Sequence, residues 1–230
     1  LLFSDGCVPA LPFDLVFPEV FFPDGDVTVR YGFHAILGNP PWDRMLPADK
    51  EFFAAYDFNI LSAPTKRERN AAQTRLLQAP LVRQRYDRYI ESFRADERIL
   101  DLLYHYQVVL IDGKRTIGKQ DAFRVFMERN AQLLAPTGIT GVVVPSAFHA
   151  NEGSTGVRRL YLEEMGLRCC YSFENRNKLF EIDSRFKFAL VVANRQGPTE
   201  TFRCAFYLHD DEWLFTKLDE RELVYNFSFV

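Results

Sequence analysis

In HAILGNPPWDRM (residues 34–45) a short apolar run, Ala35-Ile36-Leu37, enters a glycine, and Asn39, Pro40, Pro41 and Trp42 follow without a break. An apolar run bounded by glycines reads as a short buried strand over residues 33–37, of the kind parallel sheets use. Open α/β sheets bind ligands at the carboxyl ends of their strands, which is where these four residues fall. Pro41 forces Pro40 out of the α region, and each proline fixes its own φ, so the loop is stiff before any ligand arrives. Proline donates no backbone N–H, which leaves the Pro40 carbonyl as a pure acceptor beside the Asn39 carboxamide oxygen. Two acceptors converging on one point suit an exocyclic NH₂ group, and the Trp42 indole offers a flat face for a planar heterocycle. The stretch therefore describes a pocket for an aminated aromatic base. The competing reading is a buried turn plugged by Trp42.

Outward from that loop the pattern is α/β. Residues 1–30 are rich in Pro, Phe and Gly, and FPEVFFPDGD reads as loop and turn. From Pro47 to about Asp101 the pattern is helical, with Arg67, Arg69, Arg75, Arg83, Arg85, Arg88, Arg94 and Arg98 interleaved with Tyr86, Tyr89 and Phe93. This is either a solvated helical face or a phosphate-contacting one, Arg83 and Arg85 being the candidates. DGKRTIGKQ (112–120) reads as a polar loop. DAFRVFMERNAQLLAPTG (121–138) reads as an amphipathic helix with Phe123, Phe126, Met127, Ala131 and Leu134 on one face, ended by Pro136 and Gly138. ITGVVVPSAF is a β-branched strand. STGVRRLYLEEMG is a second helix, with Ser154 or Thr155 as cap and Gly166 as stop.

LRCCYSFEN, FKFALVVAN and FRCAFYLHD are three further strands. With no helix between them they are expected to pair antiparallel at one edge of a partial, Rossmann-like, doubly wound sheet. Ser146 has no evident His or Asp partner, so a structural or pocket-lining role is expected of it. FENRNKLF follows a strand on the same rim as Asn39, which makes Arg176 and Lys178 candidates for DNA-backbone contact.

The 230 residues are nearly half apolar, enough for one sizeable core with an appendage, and the net charge of −3 carries no global polybasic signature. No apolar run approaches the ~18–20 residues that span a bilayer, and the N-terminus lacks a basic n-region, so no membrane partner is expected. Cys7, Cys169, Cys170 and Cys204 show no C-x-x-C pairing and no histidine at metal spacing. Reduced core cysteines, no metal and a cytoplasmic address are expected.

ILGNPPW resembles the (Asn/Asp/Ser)-Pro-Pro-aromatic catalytic motif of amino-group DNA methyltransferases that use S-adenosylmethionine. FPEVF, GNPPWDRM, KEFFAA, DAFRVF…LLAPTGITGVVVPSAF and YSFENRNKLFEIDSRFKFALVV occur in the order seen in the gamma class. The likeness is to the large adenine-specific methylases of bacterial restriction–modification and phage-defence systems, and it covers most of residues 17–207. It implies that Asn39 and the Pro40 carbonyl hold the amino group of a flipped-out adenine and draw its lone pair out of ring conjugation. The proton leaves after methyl transfer, so no base with a shifted pKa is required. Trp42 would stack on the base. The second aromatic of the family falls in NKLFEI, making Phe180 the candidate, with core packing as its alternative. Phe123 matches the segment beside the cofactor's adenine ring, and here too core packing is the alternative. The partners implied are double-stranded DNA and the remaining parts of the same methyltransferase or other subunits of a defence complex.

The family's glycine-rich cofactor loop is missing from residues 1–38, where Gly6, Gly25, Gly32 and Gly38 are isolated, and position 34 is His. The expected organisation is entry loops and catalytic-motif strand (1–46), a helical Arg-rich insertion (47–118) and the remainder of the methyltransferase core (119–207). Residues 208–230 would begin a C-terminal extension or a link to a target-recognition domain. Upstream residues of a longer enzyme, or another subunit, would supply the cofactor loop. A catalytically inactive DNA-binding or scaffold subunit is the rival reading. A protein-glutamine methyltransferase is a further one, disfavoured by Trp42 in place of Tyr and by the Arg-rich insertion.

Overall fold

The computed structural model describes residues 11–107, 109–111, 114–116, 121–216 and 218–227. These residues form two compact units. The larger takes the described residues within Leu1–Asp43, Tyr106–Gly118 and Ala122–Val230, and the smaller those within Arg44–His105 and Lys119–Asp121. In chain order the elements begin with α1 (Phe13–Val16), α2 (Pro18–Phe21), β1 (Phe33–Gly38), α3 (Asp49–Ala54), α4 (Lys66–Leu76), α5 (Pro80–Leu103), β2 (Val109–Ile111) and β3 (Lys114–Thr116). They continue with α6 (Ala122–Leu133), β4 (Leu134–Pro145), α7 (Ala147–Ala150), α8 (Thr155–Arg159), β5 (Gly166–Glu174), β6 (Lys187–Asn194), β7 (Thr201–Leu208), α9 (Glu212–Thr216), α10 (Leu218–Arg221) and β8 (Leu223–Asn226).

The larger unit is an α/β structure built on a mixed sheet of order β1-β4-β6-β5-β7-β8. β1 runs parallel to β4 and β5 parallel to β7, while β6 lies antiparallel between β4 and β5. One face is covered by α6 and the α8 region. Phe123, Met127, Val157, Leu160 and Tyr161 pack there on Val142 and Val144 of β4 and on Ala189, Val191 and Ala193 of β6. The other face buries Tyr171, Phe173, Phe188, Ala205 and Leu208 under Trp213 of α9. Burying side chains of this size stabilises by about 1.5–3 kcal/mol each. Tyr161 is fully buried, yet its hydroxyl is satisfied by donating to the Met127 carbonyl at 3.2 Å, and burial raises its phenol pKa. The Thr199 hydroxyl accepts from the Leu167 amide at 2.8 Å and lies within bonding reach of the Tyr161 and Met165 carbonyls, tying the loop before β7 to the start of β5.

Several sequence expectations are corrected. β1 is an exposed edge strand rather than a buried one: it pairs only with β4 among the described residues, and Leu37 is 82% exposed. An apolar run shows that a strand seeks cover and leaves open whether these residues supply it. α6 ends at Leu133, and Leu134 already belongs to β4. Phe126 is exposed because the buried arc of α6 runs through Arg124 and Glu128, two charged residues that apolar periodicity does not count. Arg124 donates to the Gly153 carbonyl, and Glu128 accepts from the Tyr106 amide and the Gln107 side chain, which makes that burial tolerable.

Residues 114–116 of the expected polar loop form β3, paired antiparallel with β2, and the Pro18–Phe21 part of the expected N-terminal loop is a one-turn helix. Neither Ser154 nor Thr155 caps α8 by its side chain. Asn151 caps the preceding turn by accepting from the Gly153 amide at 2.7 Å, and α8 continues into a π-turn over Leu160–Glu164. β5 and β6 do pair antiparallel, but inside the sheet rather than at its edge, and β7 is parallel to β5. The unbroken apolar run Phe188–Ala193 is the local cue for a strand covered on both faces.

In the smaller unit, Phe53, Ile60 and Val82 form a core with Phe52, Tyr56 and Tyr86 around α3, α4 and α5. Thr65 caps α4 by accepting from the Glu68 amide at 3.2 Å, and Pro80 opens α5. The Tyr86 hydroxyl donates to Asp49 at 2.9 Å, and burial together with that carboxylate pushes its pKa up to about 12.

Candidate functional site

Topology decides what meets at the end of β1. β1, β4 and β5 point the same way, so their carboxyl ends share one rim, and antiparallel β6 starts at that rim. The loop after β1 (Asn39–Trp42) and the connection from β5 to β6 (residues 175–186) therefore come together. They line one cavity of about 320 Å³, walled by Asn39, Pro40, Pro41, Trp42, Phe180 and Ile182. Pro40 is buried and Asn39 exposed. Among the described residues neither the Asn39 carboxamide nor the Pro40 carbonyl takes part in a hydrogen bond, and both residues line the cavity.

The aromatic walls share a floor. Trp42 lies close to parallel with buried Phe188, at 6.4 Å and 29°, whereas Phe180 meets the same ring edge-on at 4.8 Å and 77°. Trp42 and Phe180 thus stand at a steep angle to each other, not as parallel plates. Phe186, half exposed, lies 6.4 Å from Trp42 at 36°. The Trp42 Nε1 is buried without an acceptor. Phe186 and Ile182 escaped the sequence reading because nothing in their spacing ties them to residue 42. Only the return of β6 to the β1–β4 rim does so.

The remaining candidates fall elsewhere. Phe123 is 1% exposed and packs in the core beneath α6. The Arg176 guanidinium is paired with Glu174 at 2.7 Å, while Lys178 is exposed and left-handed at φ 54°. Arg83 and Arg85 belong to the smaller unit, both exposed. The Arg83 Nε donates to the Leu77 carbonyl at 3.2 Å, and Arg85 lies 3.4 Å from the Tyr56 hydroxyl.

A second cavity of about 430 Å³ opens on the opposite face, lined by residues that include Ser146, His149, Ser172, Glu174 and Lys187. Here His149 pairs with Ser172 at 3.0 Å. Burial, and then Arg158, hold its pKa below the usual histidine value. Glu174 is ringed by Lys187 at 2.6 Å, Arg176, and His209 at 3.4 Å, and the Lys187 hydrogen bond leads in holding its carboxyl below the ordinary range.

The methyl donor implied by the resemblance finds no cradle among the described residues. A cradle needs small residues where a side chain would block the ligand. A Cβ on Gly38 would meet nothing within 4 Å, and Gly32 is packed on the backbone where α6 passes into β4. Among the described residues, no group of His, Cys, Asp and Glu could hold a metal, and no helix is long and apolar enough to cross a membrane. Cys169, Cys170 and Cys204 are free thiols, and Cys7 lies outside the described residues.

No protein-family model matches the sequence, and no curated protein is similar to it. Solved structures do resemble it. A type I restriction–modification methyltransferase subunit from Streptococcus thermophilus aligns at 10% identity over 86% of this chain and 35% of its own, with a TM-score of 0.45. A type I restriction–modification complex aligns at 19% identity over 50% of this chain and 31% of its own, with a TM-score of 0.39. The type ISP enzyme LlaGI, as a nuclease-deletion mutant with a DNA substrate mimic, aligns at 15% over 82% and 14%, with a TM-score of 0.41. The chain spans about a third or less of the first of these structures. At such identities, and with TM-scores below 0.5, the likeness identifies neither a family nor an activity.

Proposed function

We propose that the larger unit is the base-holding segment of a restriction–modification or phage-defence DNA methyltransferase, acting on the exocyclic amino group of an adenine flipped out of duplex DNA. The observation that carries this is the pair of unengaged acceptors, Asn39 Oδ1 and the Pro40 carbonyl, on two residues that line one cavity with Trp42 and Phe180. An aromatic amine has little nucleophilicity while its lone pair is shared with the ring. Two acceptors that take its two N–H bonds favour the pyramidal nitrogen and the positive charge that develops when it attacks. Trp42 supplies the stacking face, and Phe180 closes the cavity from the side.

S-adenosylmethionine is the proposed methyl donor, held by residues outside this site. Double-stranded DNA is the proposed macromolecular partner, with Arg83, Arg85, Arg176 and Lys178 as candidate phosphate contacts. In the complete protein, Asn39→Ala is expected to lower methyl transfer to duplex DNA by about 100-fold or more, the scale of losing one aligned partner of a developing charge. DNA affinity should stay within a few fold. Methyl transfer at the wild-type rate in that variant would refute the assignment.

A further inference from the structure

Resting on the base-pocket reading above, we infer that Asn175 is the positioning residue of the site, a buried carboxamide that fixes two of its walls, Phe180 and Ile182, at once. Asn175 is fully buried, at 0% exposure, at the first turn after β5. Its side-chain oxygen accepts from the Phe180 amide at 3.0 Å. Its side-chain nitrogen donates to the Phe180 carbonyl at 3.0 Å and to the Ile182 carbonyl at 3.2 Å. Its backbone amide donates to the Phe186 carbonyl at 3.0 Å, and its carbonyl accepts from Lys178 at 3.1 Å. Phe180 and Ile182 line the cavity, and Phe186 lies against Trp42.

The connection from 178 to 186 has no regular secondary structure, so ladder hydrogen bonds do not hold it. Asn175 substitutes for them. An acceptor and two donors in one plane, on a short stem, are what the Phe180 amide and the two carbonyls require. Aspartate lacks the donors, serine does not reach, and glutamine carries one methylene too many for a site without free space. Asn175 need not touch the base: it acts through Phe180 and Ile182, setting the wall before the ligand arrives.

The test uses adenosine as the probe, titrated calorimetrically into the wild-type protein, N175A, F180A and the double variant. F180A is expected to lower adenosine affinity about tenfold, the scale of one lost base–aromatic contact. N175A is expected to match it, and the double variant to bind no more weakly than F180A, because without the ring there is nothing left to position. A purely structural Asn175 would instead give additive losses. Folded N175A binding adenosine as the wild type does, or additive losses in the cycle, would overturn the inference.

Should N175A not fold, NMR of the wild-type protein decides. The Asn175 side-chain NH₂ and the Phe180 amide are expected to be slowly exchanging, and solvent-like exchange of both would overturn the clamp. Failure of the wild-type protein to bind adenosine is a distinct outcome, which overturns the base pocket itself and with it Asn175's role there.

Discussion

Replacing Trp42 separates its packing from its stacking. The indole is half buried against Phe186 and Phe188, and its Nε1 is buried without an acceptor. Truncating a fully buried tryptophan to alanine costs about 3–5 kcal/mol, so half-burial brings Trp42→Ala to about 2 kcal/mol. For a chain of this size that is a fall in Tm of about 4–8 °C. Trp42→Phe loses about 1 kcal/mol of buried ring but also removes an N–H whose unpaired burial costs about 1–3 kcal/mol. Its Tm should stay within about 3 °C of the wild type. For binding, base stacking of about 1–3 kcal/mol predicts that Trp42→Ala weakens adenosine by about 5- to 150-fold while Trp42→Phe stays within a few fold. Thermal unfolding and calorimetric titration with adenosine measure both. A large Tm loss in Trp42→Phe would mean that the N–H has a partner after all. Unchanged adenosine affinity in Trp42→Ala would refute the stacking role.

Two more outcomes follow from charged and titratable side chains. Because burial and Arg158 keep His149 neutral where the unfolded chain protonates it, the unfolded state binds more protons, and stability is lost as pH falls below about 6.5. His149→Gln should flatten that loss between pH 7 and pH 5.5 in urea unfolding, and an equal loss in both proteins would contradict it. Arg83→Ala with Arg85→Ala should weaken DNA binding alike at all sequences and reduce the slope of log affinity against log salt by about 0.9 per phosphate contact. A loss confined to one sequence would rule out a phosphate role.

The two ends of the site were unequally legible. The loop Asn39–Trp42 announces itself because four residues with special backbone or acceptor chemistry stand together at a strand end. Phe180 was visible only through motif order, and Phe186, Ile182 and Asn175 not at all, since their place depends on β6 entering antiparallel between β4 and β5. Strand composition marks strands but says little of neighbour order, so the run Phe188–Ala193 gave burial without position. α6 misled for a different reason: Arg124 and Glu128 are buried through partners far along the chain, and apolar periodicity then set Phe126 on the wrong face. The edge position of β1 was hidden because Leu37 has the composition of a buried residue and the exposure of a surface one.

The claim that Asn39 and the Pro40 carbonyl grip an amino group is tested most directly by comparing adenosine with purine riboside, which lacks only that group. Two net hydrogen bonds of about 1 kcal/mol each predict that the wild-type protein binds adenosine at least about tenfold tighter. Asn39→Ala should lose most of that preference while keeping its affinity for purine riboside. Equal affinity of the wild-type protein for the two nucleosides would contradict the account.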